Sequence, residues 1–143
     1  MIIFLDTSSL FKLYHNESST EIIDNIFIEN NISKIFLSEI AIVEFASTVW
    51  KKVRVGEISE LQANAKIKLF EADYSKYTLI EINKNITKDA SRLIAKYGNQ
   101  GLRTLDSIQL ATSLFLTDQC DLFITSDKLL NTFFEQESLP VKK

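Results

Sequence analysis

Four short apolar runs punctuate the chain: Ile2–Leu5, Lys34–Leu37, Thr78–Ile82 and Leu122–Thr125. Each is rich in β-branched or aromatic side chains, and none alternates cleanly between apolar and polar positions. That pattern predicts strands buried on both faces, as in a parallel sheet covered by helices on each side. Between the runs the apolar spacing changes to three and four residues. Ile22, Ile23, Ile26 and Phe27 form one helical seam behind a capping-box pair, Ser18 with Glu21. Glu39 to Val53 reads as a second helix. Ser59 with Gln62 opens a third, with Leu61, Ala65 and Leu69 at helical spacing. Thr87 stands where it could cap a fourth, carrying Leu93, Ile94 and Tyr97, and Thr104 a fifth that runs to about Leu116. A short last helix follows Asp127, with Leu129, Leu130 and Phe133 expected inward. Gly56 and Gly98 sit where helices should stop in a left-handed residue.

Strands and helices thus alternate from end to end. The expected fold is α/β, a three-layer α/β/α sandwich around a central parallel sheet of four or five strands, with one domain over residues 1–143. Such sheets bind ligands outside the carboxyl ends of their strands, and four acidic residues fall at that edge. Asp6 follows the first run and Asp127 the last. Glu44 lies early in the helix after the second run, and Asp106 lies in the first turn of the helix at Thr104. Asp6 and Asp127 also suit helix caps, and Asp106 suits a helix dipole. Glu44 is different. Ala41, Ile42, Val43, Phe45 and Ala46 surround it, and a carboxylate buried among such neighbours needs a partner. Glu39, about 140° away around the same helix, is explained by the dipole alone.

Four carboxylates at one edge repel one another unless they hold protons or a hard cation. Oxygen ligands select Mg²⁺ or Mn²⁺, an arrangement suited to phosphodiester hydrolysis. Composition narrows the field further. The chain has 143 residues, 45% of them hydrophobic and 24% charged, which fits a globular domain. One cysteine, Cys120, and one histidine, His15, are too few for a zinc site, and the lone thiol points to a reducing compartment. The opening run is too short for a signal peptide and no stretch is long enough to span a membrane, so a cytoplasmic location is expected. The net charge of −3 runs against a nucleic-acid binder, although an acidic metal site itself lowers the charge. Most basic residues, Lys51, Lys52 and Arg54 among them, read as solvated helix faces. Lys12 and Arg103, each close to an acid, are the better candidates for phosphate contact.

Four segments together resemble a PIN-domain ribonuclease, and are most similar to the VapC-type toxins of toxin–antitoxin pairs. They are Leu5 through Tyr14, Ser38 through Glu44, Leu102 through Thr112, and Ile124 through Lys128. The resemblance implies metal-dependent RNA cleavage, a small antitoxin partner and a homodimer. It also implies that Asp6 and Asp106 are the principal metal ligands, with Glu44 and Asp127 completing the set. Thr7, Ser8, Thr125 and Ser126 would orient ligands or water through their hydroxyl groups. A receiver-type signalling domain, which also binds Mg²⁺ in an α/β fold, would want paired acids after the first strand, where this chain has Asp6 alone. Three scattered glycines exclude a phosphate-binding loop. A catalytically silent PIN-like binding module would favour an incomplete acidic set, and here all four positions are acidic.

Overall fold

The first strand, β1 (Ile2–Leu5), lies inside a sheet of four parallel strands. The computed structural model describes residues 1–18 and 20–142. Within it the chain runs from β1 through α1 (Thr7–Phe11) and α2 (Thr20–Glu29) to β2 (Lys34–Ser38). It continues through α3 (Ala41–Arg54), α4 (Glu60–Ala72), β3 (Thr78–Ile80), α5 (Lys84–Tyr97), α6 (Thr104–Phe115), β4 (Leu122–Ile124) and α7 (Lys128–Gln136). The strands are ordered β3-β2-β1-β4. The chain therefore builds outward from β1 to β3 on one side, then returns to lay β4 against the other side of β1. That reversal opens a crevice between the carboxyl ends of β1 and β4, where α/β sheets bind ligands.

Strand geometry sends successive side chains to opposite faces, and both faces of this sheet are covered. Phe4, Phe36 and Phe123 pack with Leu93, Tyr97, Leu110 and Phe134 on the side of α5, α6 and α7. Ile3, Leu5, Leu37 and Ile124 pack with Leu10, Ile23, Phe45 and Phe70 on the side of α1 to α4. This is the three-layer α/β/α sandwich, and it explains why the strand sequences show no polar face. The sheet has four strands among the described residues. The apolar runs end as strands where partners end. Ser38 pairs with Ile80 at the last step of β2 and β3, so Glu81 and Ile82 have nothing to pair with. Leu5 pairs with Ile124, after which Asp6 turns away to open α1.

Several local expectations change. Thr87 does not cap α5. Asn83 does, its Oδ1 accepting from the Ile86 N–H at 3.0 Å. Thr104 is the first helical residue of α6 rather than its cap, and the cap position, Arg103, makes no side-chain bond. Helix α3 begins at Ala41 rather than Glu39, which places Glu44 in its first turn. The capping-box reading of Ser18 with Glu21 gives way to a helix that starts at Thr20, and the residue before it lies outside the described residues. Gly56 is left-handed at φ +82°, but Gly98 is right-handed and continues into a 3₁₀ turn; Gly101, at φ +103°, supplies the reversal. The seam of α4 also rotates. Ala63, Ile67 and Phe70 face the core, while Leu61, Ala65 and Leu69 are exposed. Ile22 and Leu129 likewise stand in solvent beside the buried Ile23 and Leu130. Spacing alone does not mark the inward stripe; on α4 it is the one that packs against α3, where Phe70 meets Phe45.

Candidate active site

Asp6, Glu44, Asp106 and Asp127 reach one cleft of about 440 Å³, which Thr7, Ser8, Lys12, Glu17, Thr48, Gln109 and Ser126 help to line. Four different parts of the chain supply the acids: the end of β1, the first turn of α3, the first turn of α6 and the loop after β4. The sheet reversal draws the first and last of these together, because the Asp6 N–H donates to the Ile124 carbonyl at 3.1 Å.

Asp6 is buried and held from every side. Ser8 Oγ donates to both carboxylate oxygens at 2.8 Å, Thr125 Oγ1 donates to Oδ2 at 2.7 Å, and the Ser9 N–H donates to Oδ1 at 3.1 Å. The last bond makes Asp6 the cap of α1 as well. Burial nevertheless dominates and raises its pKa from 3.8 to about 6; the hydrogen bonds oppose the shift, and the nearby charge of Glu44 adds to it. Asp106 is half-buried. Its pKa also rises to about 6, first through burial and then through the charges of Asp127 and Glu44, with Arg103 opposing. Glu44 is half-buried too, and burial raises its pKa against hydrogen bonds from Gln109 and Thr7. Asp127 is exposed and caps α7, accepting from the Leu130 N–H at 2.9 Å.

The hydroxyl groups beside the acids form a small scaffold. Thr7 Oγ1 donates to Glu44 Oε1 at 2.9 Å. Ser126 bonds Ser8 through its N–H at 3.0 Å and Ser9 through its hydroxyl at 3.1 Å, tying the loop after β4 to α1. Lys12 lines the cleft while its Nζ donates to the Ser18 carbonyl at 2.9 Å. Arg103 is exposed at the edge of a neighbouring cleft shared with Glu44 and Asp106. Three basic residues of α3 and α5 are drawn into ion pairs: Lys52 with Glu17 and Glu57, Arg92 with Asp89, and Lys96 with Glu137.

Sequence reasoning missed Gln109. It is buried, and its Nε2 donates to Glu44 Oε1 at 2.8 Å and to Thr7 Oγ1 at 3.1 Å. A signal existed: Gln109 follows Asp106 by three residues, so the two share a helix face. Its Oε1 is the one buried side-chain polar atom among the described residues without a partner, a defect that ordinarily costs about 1–3 kcal/mol. Glu17, also missed, adds a fifth carboxylate to the cleft wall and is paired with Lys52.

A family model for the PIN domain matches residues 3–133. The chain belongs to the PIN domain family. Solved structures similar to this PIN domain include FitAcB from Neisseria gonorrhoeae, with a TM-score of 0.71 and 14% identity over 99% of this chain and 96% of that one. VapC20 of Mycobacterium tuberculosis, a sarcin–ricin loop cleaving toxin, has a TM-score of 0.70 and 12% identity over 92% and 94%. VapBC-1 from nontypeable Haemophilus influenzae has a TM-score of 0.64 and 19% identity over 100% and 98%. At these identities the likeness is one of fold. No curated protein matches the chain by sequence. No helix among the described residues of the PIN domain is long and apolar enough to cross a membrane.

The double position of Asp127 separates two variants. Asn caps helices as well as Asp, whereas Ala does not. Asp127→Ala is expected to lower unfolding stability by about 1 kcal/mol, and Asp127→Asn to leave it unchanged, as measured by urea titration. Equal destabilisation by both would mean that the side chain's charge, not its cap, holds α7.

Proposed function

We propose that this PIN domain is a metal-dependent endoribonuclease, the toxin of a type II toxin–antitoxin pair, acting in the cytoplasm. The observation that carries this reading is the meeting of Asp6, Glu44, Asp106 and Asp127 in one cleft at the sheet reversal. Its donor set fits Mg²⁺ or Mn²⁺: all oxygen, in a site where burial first, and neighbouring carboxylates after it, raise Asp6 and Asp106. Among the described residues no three such side chains close on a single point, so the acids line the cleft rather than cage an ion. A cation that keeps part of its water shell suits that arrangement.

In this reading Asp6 and Asp106 hold the ion, and Glu44 and Asp127 complete its surroundings directly or through water. Bound there, the ion would supply Lewis-acid stabilisation of phosphate oxygens and a more acidic water. Ser8 and Thr125 fix the orientation of Asp6, and Thr7 that of Glu44. Ser126 braces the Asp127 loop against α1. Lys12, which lines the cleft, and Arg103, beside Asp106 in the neighbouring one, would neutralise the RNA backbone, so binding should weaken with salt. The toxin reading draws support from relatives of similar fold, among them VapC20 and the VapBC-1 complex. A small antitoxin and a second copy of the chain are its proposed protein partners. Apolar side chains left in solvent, such as Val43, Leu61 and Phe115, offer surface for them. The direct test is incubation of purified protein with RNA in Mg²⁺, beside a DNA of the same sequence. Cleavage confined to RNA supports the reading, and intact RNA at every Mg²⁺ or Mn²⁺ concentration overturns it.

The raised carboxyl groups also give the metal-free protein a pH signature. Asp6 and Asp106 bind protons more tightly folded, near pH 6, than at their ordinary 3.8. Their contribution to stability is therefore complete below 3.8 and is lost as pH rises through about 6. Thermal unfolding in EDTA should show a lower Tm at pH 7.5 than at pH 5. Mg²⁺ should restore the loss at pH 7.5 and do little at pH 5. A Tm in EDTA that climbs between pH 5 and 7.5 contradicts this.

A further inference from the structure

Glu44 uses its two oxygens unequally. Both donors that reach it, Thr7 Oγ1 and Gln109 Nε2, go to Oε1. Gln109 Nε2 also donates to Thr7 Oγ1, whose own proton goes to Glu44. The three side chains thus close a ring, and Oε2 of Glu44 takes no bond in it. On the far side of the amide, Gln109 Oε1 is buried with no partner among the described residues. Turning the amide over would set that oxygen against the carboxylate, like against like. Its direction is therefore set by the charge of Glu44, at the expense of its own hydrogen bonding. A residue kept only for packing would serve better as methionine, which fills similar space and leaves no orphaned oxygen.

We infer that Gln109 is a positioning residue, which clamps Oε1 of Glu44 together with Thr7 and leaves Oε2 free to take a divalent cation. Helix α6 then supplies both a ligand, Asp106, and the clamp on a second ligand one turn later. The inference rests on the metal reading above and adds to it a residue that acts through Glu44. Outer partners of metal ligands commonly affect affinity by roughly 10–100-fold.

The test is Mn²⁺ binding by calorimetry to RNA-free protein at pH 7.5, for wild type, Gln109→Met, Glu44→Gln and the double variant. Gln109→Met is expected to weaken Mn²⁺ binding roughly 10–100-fold and to add little once Glu44 is already Gln. Thr7→Val opens the same ring from another member and should show the same dependence on Glu44, which keeps the test available should Gln109→Met fail to fold. An equal loss with and without Glu44 would mark Gln109 as a packing residue and overturn the clamp. Wild type that binds Mn²⁺ no better than Gln109→Met overturns the clamp alone. Wild type that takes up no Mn²⁺ overturns the metal reading, and the clamp with it.

Discussion

Asp6→Asn and Asp106→Asn should each slow RNA cleavage roughly a thousandfold or more while leaving the protein folded. A bound metal contributes several kcal/mol of transition-state stabilisation, and about 1.4 kcal/mol is worth a factor of ten. On the proposed function, losing one of the two principal carboxylate ligands forfeits much of that. The folding side runs the other way. Asparagine at position 6 still offers an oxygen to the Ser9 N–H, so the cap of α1 survives. At position 106 the substitution removes a charge that Asp127 and Glu44 oppose, so the metal-free Asp106→Asn protein should melt no lower than wild type at pH 7.5. Initial rates on end-labelled RNA, with thermal melts of the same preparations, check both halves. A variant that keeps more than about a tenth of the wild-type rate shows that its carboxylate is no principal ligand.

Removing the metal should abolish cleavage outright, and Mg²⁺ or Mn²⁺ should restore it. The restoration should depend on pH in a defined direction. Protons compete for Asp6 and Asp106 below about pH 6, so metal binding must release them. With both groups ionised at pH 7.5 and mostly protonated at pH 5.5, half-maximal activity should need roughly tenfold more Mg²⁺ at the lower pH. Raising Mg²⁺ at pH 5.5 should recover the rate. Full activity in excess EDTA would rule out the metal, and a Mg²⁺ requirement that does not change with pH would mean that these carboxyl groups stay ionised down to pH 5.5, against the raised values.

The fold was legible because strands buried on two faces leave a plain mark. The runs at Ile2, Lys34, Thr78 and Leu122 each begin a strand in the structure. Helix rotation was less legible. On α4 the residues Leu61, Ala65 and Leu69 repeat as regularly as Ala63, Ile67 and Phe70, and spacing does not say which stripe α3 covers. Caps were half legible. Ser59 with Gln62 forms its capping box, whereas at α5 the first turn begins one residue after Asn83, earlier than Thr87 suggested.

At the site, apolar neighbours singled out Glu44, but they implied a deeper burial than its half-buried side chain has. What lay beyond sequence was the answer to its burial. Neutral donors, Thr7 and Gln109, compensate it within the protein. Such a partner arrives from a different helix, 65 positions along the chain, and no local pattern joins them. Asp127 shows the opposite case, where the expected cap is present and the acid still lines the cleft.

The most direct measurement is sequencing of RNA ends after brief expression of the wild-type chain and of Asp106→Asn. New internal ends carrying 5′-phosphate and 3′-hydroxyl groups should appear with wild type and be missing with the variant. Ends that carry 2′,3′-cyclic phosphate, the same ends from Asp106→Asn, or no new ends at all would contradict metal-dependent RNA cleavage at these four acids.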